Sequence, residues 1–519
     1  MQSESRTAKS IRNSSVALVF YFISLVLQFF SRKIFLDCLG TEILGLNTTA
    51  TNLLQFLNLA ELGIGAAVGF SLYKPFYDKD EQAISEIAAL QGKLYRHIAY
   101  IVIAGAGLLM CFFPWIFAKT PFPLWYAYAT FGVLLFSALL GYFVNYRQVL
   151  LSADQKEYKI QYSYKSVILA KTLVQILAVK CLDDGYVWWL VLEAIFAVAA
   201  SWTLSLTIRR TYPFLRPCIL SLKELNAKYP IIQVKIKQVF FHKIGGFALS
   251  QTSPIIIYAF TTLTVVALYG NYMLISMGLY SLSMALSNGL TASVGNLVVE
   301  GNGEKTMAVF EELFSVRFVL AAIITFGMMT MVQPFITLWI GADYLLPVST
   351  LALITASLFI QVSRQAVDSY IYAYGFFSDI WAPVAEASLN VGLSVLLGGF
   401  FGLNGVLSGV LISQVIVILV WKPVFLFGIN LRHGLKRYVK IYFQHLAYGC
   451  IVAAIVCFLL RLLPVSPTDS WWCFAVYGLS GIGLFAVLLV ATFCFSRGGL
   501  YFFGRRMIKK INLLRRRNG

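Results

Sequence analysis

Runs of apolar residues broken by polar clusters divide this chain into fourteen stretches that are each long enough, at about 20 residues, to cross a bilayer as an α-helix. They fall at 13–36, 46–73, 97–118, 123–146, 160–181, 186–208, 244–266, 269–297, 314–337, 345–374, 380–402, 404–429, 441–463 and 471–495. The predicted fold class is therefore an all-α polytopic membrane protein with about 14 transmembrane helices. The longest connection is 209–243, where Leu222, Leu225, Ile231, Ile232 and Val234 stand among lysines. That pattern predicts an amphipathic helix resting on anionic lipid at the membrane surface.

A weak internal repeat organises these spans. Asp78-Lys79-Asp80-Glu81-Gln82-Ala83-Ile84 follows the second span and Gly301-Asn302-Gly303-Glu304-Lys305-Thr306-Met307 follows the eighth, an offset of 223 residues or six spans. Two pseudo-symmetric six-helix lobes around a central cavity are a known transporter plan. The predicted organisation is a first lobe at 1–208, a cytoplasmic basic amphipathic linker at 209–243 and a second lobe at 244–429. Two extra transmembrane helices at 430–496 then form an appendix, and a basic cytoplasmic tail runs over 497–519.

Composition agrees: 59% of residues are hydrophobic and 12% charged, against about 25% charged in soluble domains. An ordinary soluble enzyme is excluded. The formal charge is +18, from 41 Lys+Arg against 23 Asp+Glu, and its placement gives the orientation. Segments on the side of the termini hold 3 cations before the first span, then 4, 3, 8, 2, 0 and 5 in successive loops, and 8 in the tail, against only Lys119, Lys180 and Arg461 opposite. The positive-inside rule then places both termini in the cytoplasm. The first span, which follows Arg6, Lys9 and Arg12, lacks a small-residue cleavage site and reads as uncleaved. Arg515-Arg516-Arg517 reads as an inner-leaflet anchor rather than a nucleic-acid arm. The 8 cysteines and 4 histidines are scattered without metal-ligand spacing.

Charges left inside spans are functional candidates, because burying one in lipid costs about 2.5–3.5 kcal/mol on insertion scales. Lys171 lies near mid-bilayer in span 5 and is the leading candidate; Lys165 is shallower, and a snorkelling role accounts for it equally. Arg32 and Lys33 sit toward the outer end of span 1. Glu61 follows Asn52, Gln55 and Asn58 on span 2, implying a wet face. Arg364 and Asp368, four apart, share a helix face and can pair. Glu386 follows Pro383, a residue that can kink the helix. Five in-span cations (Arg32, Lys33, Lys165, Lys171, Arg364) face four acids (Glu61, Glu193, Asp368, Glu386), and the first lobe holds four of the cations. Tyr272, Ser276, Tyr280, Ser283 and Asn288 on span 8 read as cavity lining or as helix-to-helix hydrogen bonding. No Walker A, H-E-x-x-H or G-x-S-x-G motif is present, and the outer loops are short. A primary ATPase is excluded and a membrane glycosyltransferase or polymerase is disfavoured.

From Ser31 to Ser85 the chain reads SRKIFLDCLGTEILGLNTTATNLLQFLNLAELGIGAAVGFSLYKPFYDKDEQAIS, and Arg147 to Ile160 read RQVLLSADQKEYKI. The LG-x-E-x-LGL, LAELGIG and SLYKP elements resemble the polysaccharide-export family of the multidrug/oligosaccharidyl-lipid/polysaccharide flippase superfamily. The resemblance implies a transporter without enzymatic activity. It would flip undecaprenyl-pyrophosphate-linked oligosaccharide to the outer leaflet of a bacterial plasma membrane, by alternating access, for O-antigen, capsule or exopolysaccharide assembly. The diphosphate would be held by Lys171, Lys165, Arg32 and Lys33; Glu61, Asn58, Arg364, Asp368 and Glu386 would line the cavity or couple an ion. No cofactor or metal is expected. Coupling to a proton, sodium ion or the membrane potential stays open, as does partnership of the monomer with a polymerase and other assembly proteins. The alternative within the superfamily is a multidrug/cation antiporter.

Overall fold

The computed structural model describes residues 6–506 apart from 62, 119, 300–302, 375, 377, 378, 380, 497 and 503. The Arg515-Arg516-Arg517 tail, Lys119, and the side chains of Arg6, Lys9, Lys243, Asn288 and Lys305 thus lie outside the described residues, as does most of the second copy of the repeat.

All regular structure among the described residues is helical. The chain forms two compact units, Met1–Ala267 and Leu268–Gly519. Unit 1 contains α1 (Arg6–Leu57), α2 (Ile64–Asp78), α3 (Glu81–Cys111), the single turn α4 (Phe113–Ile116), α5 (Trp125–Phe143), α6 (Gln148–Ala153), the single turn α7 (Glu157–Ile160), α8 (Ser166–Cys181), α9 (Gly185–Thr211), α10 (Leu222–Lys228), α11 (Pro230–Phe260) and the start of α12 (Leu263–Val299). Unit 2 continues α12 and adds α13 (Gly303–Trp339), α14 (Val348–Ser363), α15 (Gln365–Tyr374), α16 (Trp381–Gln414), α17 (Leu435–Leu460) and α18 (Trp471–Phe495).

Ten of the described helical segments are long and apolar enough to cross a membrane, so the chain is an all-α, multi-pass membrane protein. Fourteen spans were predicted, and the difference has a local cause. The predicted span at 13–36 and the first part of that at 46–73 run into one helical stretch, because α1 continues through Gly40 at φ 82 and ψ 171 and ends at Leu57. Straight, its 52 residues would measure about 78 Å, far beyond a hydrocarbon core of about 30 Å. Gly40 tolerates this backbone because it has no Cβ, and it divides α1 into two legs. Gly402, at φ 55 and ψ −132, does the same inside α16. The spans at 160–181 and 244–266 appear as α8, only 16 residues long, and within α11.

The linker does not lie outward as an isolated amphipathic element. Leu225 and Ile232 are fully buried in the unit 1 core with Ile84, Ile87 and Leu90 of α3, while Ile231 and Val234 are exposed. Lys228 pairs with the buried Glu86 carboxylate at 2.7 Å, which also accepts from the Tyr229 hydroxyl at 2.6 Å. Ser221 and Glu224 close a reciprocal capping box at the start of α10. The Ser221 backbone N–H, then its hydroxyl, hold the Glu224 carboxyl below its ordinary value. That contribution is present at neutral pH and is lost as pH falls through the lowered value. Ser221→Ala is expected to cost about 1 kcal/mol and to appear as faster tryptic cleavage at Lys223 and Lys228, with the protein still inserted; unchanged cleavage would refute the cap's importance.

In unit 2 the two C-terminal helices share the core instead of forming an appendix. Phe326 of α13 stacks on Phe485 of α18 at 4.2 Å, and Phe314 stacks on His445 of α17 at 5.7 Å.

Candidate functional site

Polar chemistry inside unit 1 gathers at a broken helix. After α1 ends at Leu57, a single 3-10 turn, Asn58–Glu61, precedes α2, so Glu61 does not continue one helical face with Asn52 and Gln55 as expected. The break turns Glu61 and Asn58 toward α3 and α5. Glu61 accepts from the Tyr95 hydroxyl at 2.8 Å and Asn58 accepts from the Tyr142 hydroxyl at 2.7 Å. The Tyr95 ring lies 5.8 Å from Tyr142 and stacks 6.0 Å from Tyr146. Below it, the buried Gln91 amide donates to the Tyr146 carbonyl at 3.1 Å.

Of the candidate diphosphate ligands, Lys171 is already committed. Its ammonium contacts both carboxylate oxygens of Glu193 on α9 at 2.7 and 2.8 Å, and Gln175 donates to the same carboxylate at 3.1 Å. Lys165 closes the π-type turn Gln161–Lys165 that precedes α8; it is exposed and has no ion-pair partner among the described residues. Arg32 donates to the Ala267 carbonyl at 3.2 Å. The first leg of α1 runs to Gly40, so Arg32 and Lys33 lie deeper than a span ending at 36 suggested. Asn13 accepts from the Tyr158 backbone N–H at 3.0 Å and Phe20 meets Tyr162 at 5.9 Å.

In unit 2, Arg364 and Asp368 form the expected i,i+4 pair at 2.7 Å. Glu386, buried on α16, keeps one carboxylate oxygen without a hydrogen bond, and both polar side-chain atoms of Asn390 one turn later are likewise unbonded. Glu386 lies within electrostatic reach of Arg364, Asp368 and Lys422. On span 8, Tyr272 accepts from the Leu346 N–H at 2.9 Å and Ser283 donates to the Tyr280 carbonyl at 2.7 Å, which favours helix hydrogen bonding over cavity lining at these two positions.

The count of in-span cations requires correction. Arg317 and Lys422, assigned to cytoplasmic loops, lie within helical structure: Arg317 is fully buried in α13, bonding Gln365, and Lys422 pairs with the buried Asp379 at 2.7 Å. Both were visible inside the predicted apolar runs 314–337 and 404–429. Unit 2 is therefore not poor in cations. Tyr95, Tyr142 and Gln91 were missed because uncharged residues carry no alarm in an apolar helix.

No family model matches the chain, and no curated protein matches it. Among solved structures, an inward-closed lipid II flippase MurJ is similar at a TM-score of 0.65 and 14% identity, covering 92% of this chain and 98% of its own. An inward-facing multidrug resistance transporter of the MATE family is similar at a TM-score of 0.59 and 14% identity, covering 79% and 97%. The chain thus shares its fold with these two membrane transporters.

Proposed function

We propose that this protein flips an undecaprenyl-pyrophosphate-linked oligosaccharide from the inner to the outer leaflet of a bacterial plasma membrane, for O-antigen, capsule or exopolysaccharide assembly. The observation that carries the reading is the band of in-membrane cations on unit 1. Arg32, Lys33, Lys165 and Lys171 all lie on α1 and on the helical segment around α8 that packs against it, and Lys165 is exposed without an acidic partner among the described residues. A diphosphate is a multiply charged anion, and charge-assisted hydrogen bonds to it strengthen as water is excluded. Likeness of fold to a lipid II flippase over nearly the whole chain supports the same substrate class. Lys171 can join only by exchanging Glu193 for phosphate, whereas Lys165 has no ion-pair partner among the described residues and makes the first contact. The lobes alternate access while the polyprenyl tail stays in lipid, and both termini stay cytoplasmic.

The test is complementation. In a deletion strain, Arg32→Ala with Lys165→Ala is expected to reduce surface polysaccharide at least about tenfold at unchanged protein level; undiminished export in the double variant overturns the cation role. The second reading, a drug/cation antiporter, draws on the similarity to the multidrug transporter and the unbonded oxygen of Glu386. Gradient-coupled ethidium efflux by the purified, reconstituted protein would favour it.

A further inference from the structure

Where α1 begins, a basic turn of unit 1 is clamped in place by a neighbouring helix. The backbone between α6 and α7 reverses at Gln155, φ 56. Asn13 of α1 grips this turn twice: its amide donates to the Gln155 carbonyl at 2.9 Å, and its oxygen accepts from the Tyr158 N–H at 3.0 Å. The grip sets the Arg12 guanidinium over the Tyr158 ring, 4.0 Å from its centre. Arg12 and Lys156 both lie within electrostatic reach of Lys159, so three cations from two segments share one corner.

The acids at this corner do not neutralise them. Asp154 pairs with Lys156 and accepts from the Tyr212 hydroxyl at 3.0 Å, and Glu157 is exposed. Lys159 differs from an ordinary loop lysine: it is half-buried, and its ammonium donates to the Thr211 hydroxyl at 2.9 Å with no acidic partner among the described residues. Thr211 gives its own proton to the Thr207 carbonyl at 2.7 Å, so it serves Lys159 as an acceptor and leaves the other ammonium N–H groups unused. Burial and then the Lys156 charge hold Lys159 below its ordinary value, with Arg12 adding to this and Asp154 opposing it. A partly desolvated cation among like charges is unfavourable, and an anion bridging the three relieves the repulsion through charge-assisted hydrogen bonds.

Apolar surface leads away from the corner. Leu18, Val19 and Phe22 follow Arg12 on α1, and Tyr162 follows Tyr158; all four are exposed. Phe20 meets Tyr162 at 5.9 Å and joins the two segments. Cations beside an exposed apolar strip, at the end of paired membrane helices, suit a lipid headgroup better than a soluble anion.

We propose that Arg12, Lys156 and Lys159 form a binding site for the phosphate headgroup of an anionic phospholipid, whose acyl chain lies along Leu18, Phe22 and Tyr162. These cations are distinct from Arg32, Lys33, Lys165 and Lys171. Binding stands independently of the flippase reading; only its placement in the inner leaflet rests on the topology of that reading.

The full-length protein in detergent is titrated with phosphatidylglycerol and with phosphatidylcholine of the same chains, and bound lipid is counted by native mass spectrometry. Phosphatidylglycerol is expected to fill one site about tenfold more tightly. Lys159→Gln and Arg12→Gln are each expected to weaken that binding about fivefold, and together to erase the preference. Lys436→Ala, which removes an exposed cation from unit 2, should leave it unchanged. If Lys159→Gln does not fold, Arg12→Gln decides the matter. Equal binding of the two lipids overturns the site. An equal loss in Lys436→Ala also overturns it, because the attraction is then diffuse. Inorganic phosphate at matched ionic strength is expected not to compete; displacement of the lipid by it assigns the corner to a soluble anion and overturns the lipid site. A lipid preference in a protein that exports no polysaccharide leaves the site standing and sinks only the flippase reading, and export without the preference does the reverse.

Discussion

Lys171→Ala is expected to lower the thermal midpoint and the membrane level of the protein before any effect on transport is read. Lys171 and Glu193 are 13% and 18% exposed, and removing one member of a largely buried pair strands the other charge, a loss of about 3 kcal/mol. Gln175 then remains as a single polar donor to an uncompensated carboxylate. The informative variant is the neutral pair Lys171→Gln with Glu193→Gln. It leaves no charge unpaired and should recover most of the lost stability, because replacing both partners of a buried pair is often close to neutral. Surface polysaccharide then separates the roles. Export at the wild-type level in the double variant makes the pair purely structural. Loss of export at restored protein level means that the lysine exchanges Glu193 for the diphosphate during transport. Equal stability of the single and double variants would refute the pairing itself.

Gly409→Leu is expected to be the most damaging single substitution in unit 2. The chain reverses at Gly402, and the second leg of α16 returns against the first so closely that a Cβ on Gly409 would lie 2.4 Å from the Ser394 backbone nitrogen and one on Gly405 2.0 Å from the Leu397 carbonyl oxygen. Small residues permit this approach in membrane helices. Ser394 secures it by donating to the Val406 carbonyl at 2.9 Å. Because the obstacle is backbone, relief requires the legs to separate, and the cost should reach or exceed the upper end of the usual overpacking range, about 3 kcal/mol. The separation would also displace Glu386 and Asn390, which sit on the first leg. Gly392→Ala is the control, since nothing lies within 4 Å of its added methyl; it should melt at or slightly above the wild type. Similar midpoints for Gly409→Leu and the control would show that the legs are not packed in this way.

Much of the architecture was legible because membrane helices announce themselves. A run of about 20 apolar residues has no other economical way to satisfy its backbone in lipid, so the helical class and most helix positions followed from hydropathy alone. The Arg364–Asp368 pair was legible for a related reason: Arg364 stands immediately before α15 and Asp368 in its first turn, four residues apart, with the Asp368 N–H bonded to the Arg364 carbonyl, so the helical repeat alone brings them together. Lys171 could be recognised as deep, but its partner Glu193 lies on the next helix, and no sequence spacing reports a contact between helices. The same blindness hid the docking of α10 on α3 through Glu86, and the membership of α17 and α18 in the core around Phe314 and Phe326.

Hydrophobic length and charge placement are properties of local composition, so the amino-acid order alone marks a polytopic helical membrane protein with charge in its spans. What those charges do depends on how the helices pack. Packing pairs Lys171 with Glu193 and Lys422 with the buried Asp379, and it breaks the second predicted span at Asn58–Glu61, where the Glu61 carboxyl accepts from the Tyr95 hydroxyl. Whether a buried charge is structural or available to a ligand depends on the group facing it from another helix, and that pairing exists only once the helices have packed.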